Sequence, residues 1–316
     1  MANTILRIGT RESPLAVWQA QQVQDHLTSQ NIQSELVYIK SEGDKDLITP
    51  LYALGVQGIF TKALDAALLN NRIDIAVHSM KDVPVQLAEG IKQAAVLKRG
   101  NWKDLFIKGE ASNVKDEKDE NDFIIPDSQF TIATSSIRRI AQWLNKFPNH
   151  KIENLRGNVN TRLRKLNESN WNGAIFAAAG LERINLRPEN AIELGWMLPA
   201  PAQGAIMVVC RKDDKHTFES CQSFNNAETA LCTKIERDYL KELMGGCSTP
   251  IGAIAEIKSK HIYFKANILS PDGKEKAEMF FNVPISEADE LGKIAAKKIL
   301  KNGGQPILDK LKNAAK

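Results

Sequence analysis

The stretch Ile73–Pro84, IDIAVHSMKDVP, decides how the rest of the chain is read. Ile75, Val77 and Met80 lie in a short apolar run of strand length. Lys81, Asp82 and then Pro84 close it, since proline offers no N–H to a ladder. A buried strand thus ends in a charged pair. In sheets with parallel strands, ligands gather outside the carboxyl ends, so Lys81-Asp82 is where chemistry is expected. Taken alone, the pair reads more readily as two solvated charges at a strand end, since most strand ends carry charges and few are sites.

Upstream, Thr4 to Gly9 alternates like a strand. Thr10 to Ser13 forms a polar turn, and Pro14 suits the first position of a helix over LAVWQAQQVQDHL. Gln33 to Ile39 reads as the next strand. Lys40 to Ile59 has little periodicity and carries Gly43, Gly55 and Gly58. It is long for a connector, so a lid or functional loop is expected there. A helix over FTKALDAALLNN then delivers the chain to the Ile73 strand, and strand-helix alternation argues for an α/β domain.

Downstream come strands at Gln93 to Leu97 and Leu105 to Ile107, then Gly109 to Asp122, mainly acidic and read as an exposed insertion. Three strand-turn-helix units follow: FTIAT into SSIRRIAQWLNKF, KIENL into RGNVNTRLRKL, and GAIFAAAG into LERI. Unpaired N–H groups at helix starts make Thr134-Ser135-Ser136 and Gly157-Asn158 ready sites for carboxylate or phosphate. Arg138, Arg139, Arg156, Arg162 and Arg183 add planar forks. Each alone reads as a solvated helix face. The macrodipole disfavours cations at helix N-termini, however, so their accumulation there points to a ligand with several negative charges.

Gly204 to Cys210 is a further apolar strand, and a helix over Glu228 to Leu243 leads into MGGCSTP. Cys247 is either an inert thiol or, between two glycines and Pro250, an exposed nucleophile or attachment point. IGAIAEI, HIYFKANIL and AEMFFNV alternate like antiparallel strands, the last two joined by the turn SPDG. A helix over ISEADELGKIAAKKIL and Gly303-Gly304 close a separate α+β unit.

At 316 residues the chain is long enough for two or three domains. Arg7 and Arg11 interrupt any signal-peptide core and no run approaches the ~20 apolar residues of a membrane span, so a cytoplasmic protein without a membrane partner is expected. Cys210, Cys221, Cys232 and Cys247 show no CxxC spacing and read as reduced thiols. The scattered His26, His78, His150, His216 and His261 give no metal site. A net charge of +4 without an aromatic-interleaved basic stripe does not indicate nucleic acid.

The ordered motifs LRIGTRESPLA, DIAVHSMKDVP, TSSIRR, LRGNVNTRL, AAGLERI, QGA and GGCSTP resemble the porphobilinogen deaminase (hydroxymethylbilane synthase) family over nearly the whole chain. The resemblance implies two α/β domains of the type II periplasmic-binding-protein kind around a cleft, plus a smaller C-terminal α+β domain. Its boundaries fall at 1–102 with 204–223, at 103–203 and at 224–316. It implies a monomer that joins four porphobilinogen molecules head to tail on a dipyrromethane cofactor held by Cys247, with release of ammonia and hydroxymethylbilane for tetrapyrrole synthesis. Asp82 matches the catalytic aspartate. Ser79, Lys81, Thr134, Ser136, Arg138, Arg139, Gly157 and Arg162 match cofactor-binding positions. Arg7, Arg11, Ser13, Phe60, Arg156, Arg183 and Gln203 match positions around the substrate. The chain departs from the family's pattern at Ala53, Gln57, Ala63, Ala202 and Met244. The competing reading is a non-catalytic, two-lobed receptor for an organic anion, which needs neither Asp82 nor Cys247.

Overall fold

The computed structural model describes residues 5–40, 61–110, 112, 130–243 and 249–314. Cys247, Met244, Phe60, Ala53 and Gln57, the expected loop beyond Lys40 and nearly all of the acidic insertion lie outside the described residues. The chain opens with β1 (Leu6–Thr10), α1 (Pro14–Ser29), β2 (Ser34–Tyr38), α2 (Lys62–Leu69), β3 (Ile75–Ser79) and β4 (Ile91–Val96). Ser13 caps α1, its Oγ accepting from the Ala16 N–H at 3.4 Å, and Pro14 follows at the first position. The period of β3 splits two cores. Ile75 and Val77 pack with Ala20, Val23 and Leu27 of α1, while Ala76 packs with Leu64, Ala67 and Leu68 of α2.

A second lobe holds β5 (Asp104–Lys108), β6 (Thr131–Ala133), α3 (Ile137–Lys146), β7 (Lys151–Glu153), α4 (Val159–Asn167), β8 (Gly173–Ala177), α5 (Ala178–Glu182) and β9 (Ile192–Glu193). The chain then returns as β10 (Ile206–Arg211) into the first sheet, whose order is β2-β1-β3-β10-β4. β10 runs antiparallel to both neighbours, whereas β1 is parallel to β2 and β3. The second sheet, β7-β6-β8-β5-β9, repeats this winding, with β5 as its antiparallel member. Two α/β lobes of like winding are thus present, as expected.

Residues 97–103 and 198–205 cross between the lobes side by side. The Gly100 N–H donates to the Gly204 carbonyl at 3.0 Å. Gly204 has φ +85, and a Cβ there would stand 2.8 Å from the Gly100 oxygen, so only glycine allows this approach.

After α6 (Lys215–Gln222) and α7 (Ala227–Glu242), the strands β11 (Ile251–Lys258), β12 (His261–Leu269) and β13 (Lys276–Pro284) form an antiparallel sheet, followed by α8 (Leu291–Ile299) and α9 (Gln305–Ala314). Ile235 and Tyr239 on α7 and Leu243 at its C-cap, spaced four apart, bury against Phe264, Ala266 and Ile268 of the sheet and Leu291 and Ala295 of α8. Sequence reading missed β9, only two residues long, and α6, a short helix capped by Asp214 through the Thr217 N–H at 3.0 Å. It also took Gly303-Gly304 for a chain end. Gly303, at φ +93, instead kinks the backbone into α9. Among the described residues, no helix is long and apolar enough to cross a membrane.

Candidate functional site: a cationic cleft between two lobes

Beyond the carboxyl end of β3, one 3-10 turn over Met80–Asp82 carries the charged pair. Met80 anchors it as a buried side chain, and the Val83 N–H returns to the Met80 carbonyl at 3.2 Å. Lys81 and Asp82 are half-buried. Lys81 Nζ donates to Gln203 Oε1 of the crossover at 3.3 Å. Burial pushes the Lys81 amine down to about 8; Arg139 and Arg138 add to that, while Asp82 and Asp104 oppose it.

The facing lobe is built around Asp104, the first residue of β5, which is fully buried. Its Oδ1 accepts from Arg139 Nε and Nη2 at 3.2 and 2.7 Å and from Gln203 Nε2 at 2.9 Å, and its Oδ2 pairs with Arg138 Nη2 at 2.8 Å. Burial alone would raise this carboxyl, but Arg138 and Arg139 outweigh it and hold it well below the usual carboxylate range. Thr134 and Ser136 start α3, with the Ser136 N–H on Thr134 Oγ1 at 3.3 Å. Arg138 Nη1 donates to the Leu198 carbonyl at 2.5 Å, leaving its buried Nε without a partner among the described residues.

Arg156 is buried before α4, and Arg162, within α4, donates from Nε to the Gly157 carbonyl at 2.7 Å. Gly157 takes φ +115 there, and Asn158 caps α4 through the Thr161 N–H at 2.9 Å. Burial, then the neighbouring Arg139 and Arg156, pull Arg162 down to about 10, with Asp82 opposing. It remains cationic near neutrality. Among the described residues, Lys81, Arg138, Arg139, Arg156 and Arg162 act on one another or on Asp82 and Asp104. A gathering of cations of this kind suits a ligand bearing several carboxylates.

Residues 6–219 match the family model described as "Porphobilinogen deaminase, dipyromethane cofactor binding domain", and residues 230–301 match "Porphobilinogen deaminase, C-terminal domain". The chain belongs to the porphobilinogen deaminase family. Among solved structures, it is similar to the methionine-binding protein MetQ at 13% identity and TM-score 0.42, over 72% of this chain and 93% of that one. An ABC-transporter periplasmic substrate-binding protein from Coxiella burnetii matches at 11% identity and TM-score 0.42, over 72% and 94%. YhfZ from Shigella flexneri matches at 13% identity and TM-score 0.35, over 75% and 96%.

Not every residue expected from the porphobilinogen deaminase resemblance reaches the cleft. Arg7 is engaged at the amino end of β3, where its Nε and Nη2 both donate to the Asp74 carboxylate at 2.9 Å. Five residues of strand, about 16 Å, separate that end from the turn holding Asp82. Burial would raise Asp74, but hydrogen bonds from Arg7 and Arg211 hold it at about 2. Arg7→Gln is therefore expected to destabilise the fold by about 1 kcal/mol with KM for porphobilinogen unchanged; a raised KM in an equally stable variant would return Arg7 to the cleft.

Ser79, Ser13 and Arg183 are held by neighbouring elements. Ser79 Oγ is hydrogen-bonded to Gln19 of α1, and Ser13 is engaged as the α1 cap. Arg11 sits on the turn after β1, and its charge adds to the burial that takes His78 down to about 4. Arg183 donates to the Gly204 carbonyl at 2.6 Å and lies over the Trp18 ring, tying α5 to the crossover. Ala202, where the family pattern has glycine, takes φ +64. That backbone costs a residue with a side chain about 1–2 kcal/mol, and the Ala202 N–H is held on Glu236 Oε2 at 2.6 Å.

Sequence reasoning missed Asp104, Glu236 and Arg237. An aspartate opening the apolar strand DLFIK was the available signal for a buried counter-ion to the arginines. Glu236, fully buried on α7, accepts from Arg99 Nη1 at 2.5 Å and from the Ala255 N–H at 2.8 Å, but in sequence it looks like any helical glutamate.

Proposed function

We propose that this chain is a hydroxymethylbilane-forming porphobilinogen deaminase whose cofactor is attached at Cys247. The observation that carries the reading is the cluster of five cations gathered around Asp82 and Asp104 at the lobe interface. A dipyrromethane bears acetate and propionate groups, and the Nε of buried Arg138, without a partner among the described residues, together with the gathered cations fits them. When bound, this group supplies the pyrrole carbon on which the chain is extended.

Lys81, Arg156 and Arg162 bind carboxylates in this scheme, with Thr134 and Ser136 at the α3 start and Gly157 before α4 beside them. Asp82 faces the pyrrole N–H of incoming porphobilinogen. When the aminomethyl C–N bond breaks and ammonia leaves with the bonding pair, the Asp82 charge stabilises the cation left behind.

Support for Cys247 comes from the other thiols. Cys210, Cys221 and Cys232 are buried, and burial pushes them up to about 11, 12 and 12, so they are poor nucleophiles. Free thiols also suit a reducing compartment such as the cytoplasm. The proposed boundaries, 1–102 with 204–223, 103–203 and 224–316, are supported by the return of β10 to the first sheet. The anion-receptor alternative gains nothing from family membership.

Intact-mass measurement of purified protein tests the proposal. The expected result is excess mass equal to two linked pyrrole units, localised to the peptide with Cys247, with a colour reaction to Ehrlich's reagent. Unmodified protein that turns over porphobilinogen would remove the attachment. Loaded protein that does not turn it over would leave a binding protein.

A further inference from the structure

Helix α7 reaches two parts of the molecule with adjacent residues. Glu236 accepts from Arg99 and from the Ala202 N–H at the crossover. Arg237 points to the other side. Its Nη1 donates to the carbonyls of Met80 at 3.3 Å and Val83 at 2.9 Å, and its Nη2 to the carbonyl of Pro84 at 2.7 Å. One planar fork thus gathers three carbonyls from the backbone that brackets Asp82, a geometry that a lysine, with its single nitrogen, cannot reproduce. The same helix ends at Glu242, five residues before Cys247.

We infer that Arg237 is a positioning residue for Asp82. It fixes the backbone of the Met80–Asp82 turn from the third unit. The inference rests on the reading of Asp82 as the charged group of a deaminase. A plain docking contact between α7 and the first lobe would contribute to stability or cofactor loading. It would not alter the rate of a molecule that is folded and loaded. A positioning contact alters that rate, because a carboxylate displaced by a fraction of an ångström still binds ligand and stabilises the cation less.

The test uses holoenzyme. Arg237→Ala, Arg237→Lys and, as a control on an exposed part of the same helix, Lys234→Ala are prepared, and intact mass gives the loaded fraction of each. Turnover of porphobilinogen per loaded molecule and KM are then measured beside urea unfolding. For Arg237→Ala the expected result is a kcat per loaded molecule lower by on the order of tenfold with KM held within about twofold. Partial recovery is expected in Arg237→Lys and wild-type behaviour in Lys234→Ala. An unchanged kcat per loaded molecule in Arg237→Ala overturns the inference, as does a loss accounted for by unloading or unfolding alone. Loaded wild-type protein that does not consume porphobilinogen would overturn the deaminase reading itself, and this inference with it.

Discussion

Asp82→Asn is expected to slow porphobilinogen turnover by roughly 100- to 1,000-fold while the fold and the attached cofactor persist. Asparagine keeps the size and a hydrogen-bonding oxygen but removes the anion. Asp104 is already engaged by Arg138, Arg139 and Gln203, so in the proposed reading Asp82 is the anion that meets positive charge on the substrate. A second readout follows from Lys81, whose amine burial has brought down to about 8 and which Asp82 helps keep protonated. Removing Asp82 lowers that value further, so ligand affinity in the variant should weaken at a lower pH than in wild type. Asp82→Glu retains the charge, displaced by about one bond, and should fall between. Near-wild-type turnover in a folded, loaded Asp82→Asn would take the carboxylate out of the chemistry.

The course of the chain explains which parts of this site could be read in advance. β3 was legible because Ile75 and Val77 alternate and Pro84 ends the run, and the rule that ligands sit beyond carboxyl ends picked out Asp82. By the same rule Arg7, the second residue of β1, lies toward the amino end, where it pairs with Asp74. The insertion of β10 between β3 and β4 rests on pairings such as Val208 with Val77, far apart in sequence, and local pattern carries no record of such contacts. The arginines were legible as a group from their place at helix starts. Their division was not. Arg138 and Arg139 share an internal counter-ion from β5, more than thirty residues upstream, and nothing in TSSIRR shows it.

That counter-ion predicts the largest effect on stability. Asp104→Asn is expected to cost about 3–5 kcal/mol, because it strands two buried guanidinium groups that now share one carboxylate at 2.8 and 2.7 Å. The sign of the pH dependence is set by the depressed native carboxyl. The unfolded chain takes up the proton first, so Asp104 stabilises the fold above its ordinary value of about 3.9 and loses that contribution as pH falls toward the native one. The gap between wild type and Asp104→Asn should therefore be widest near neutrality and narrow on acidification. Urea unfolding followed through Trp143, buried in the same lobe, reads it out. Arg139→Met made in the Asp104→Asn background should cost much less than in wild type, since the charge it removes has lost its partner. Additive costs, or an Asp104→Asn loss under about 1 kcal/mol, would mean that the two arginines are neutralised elsewhere and that Asp104 does not hold the cationic wall of the cleft in place.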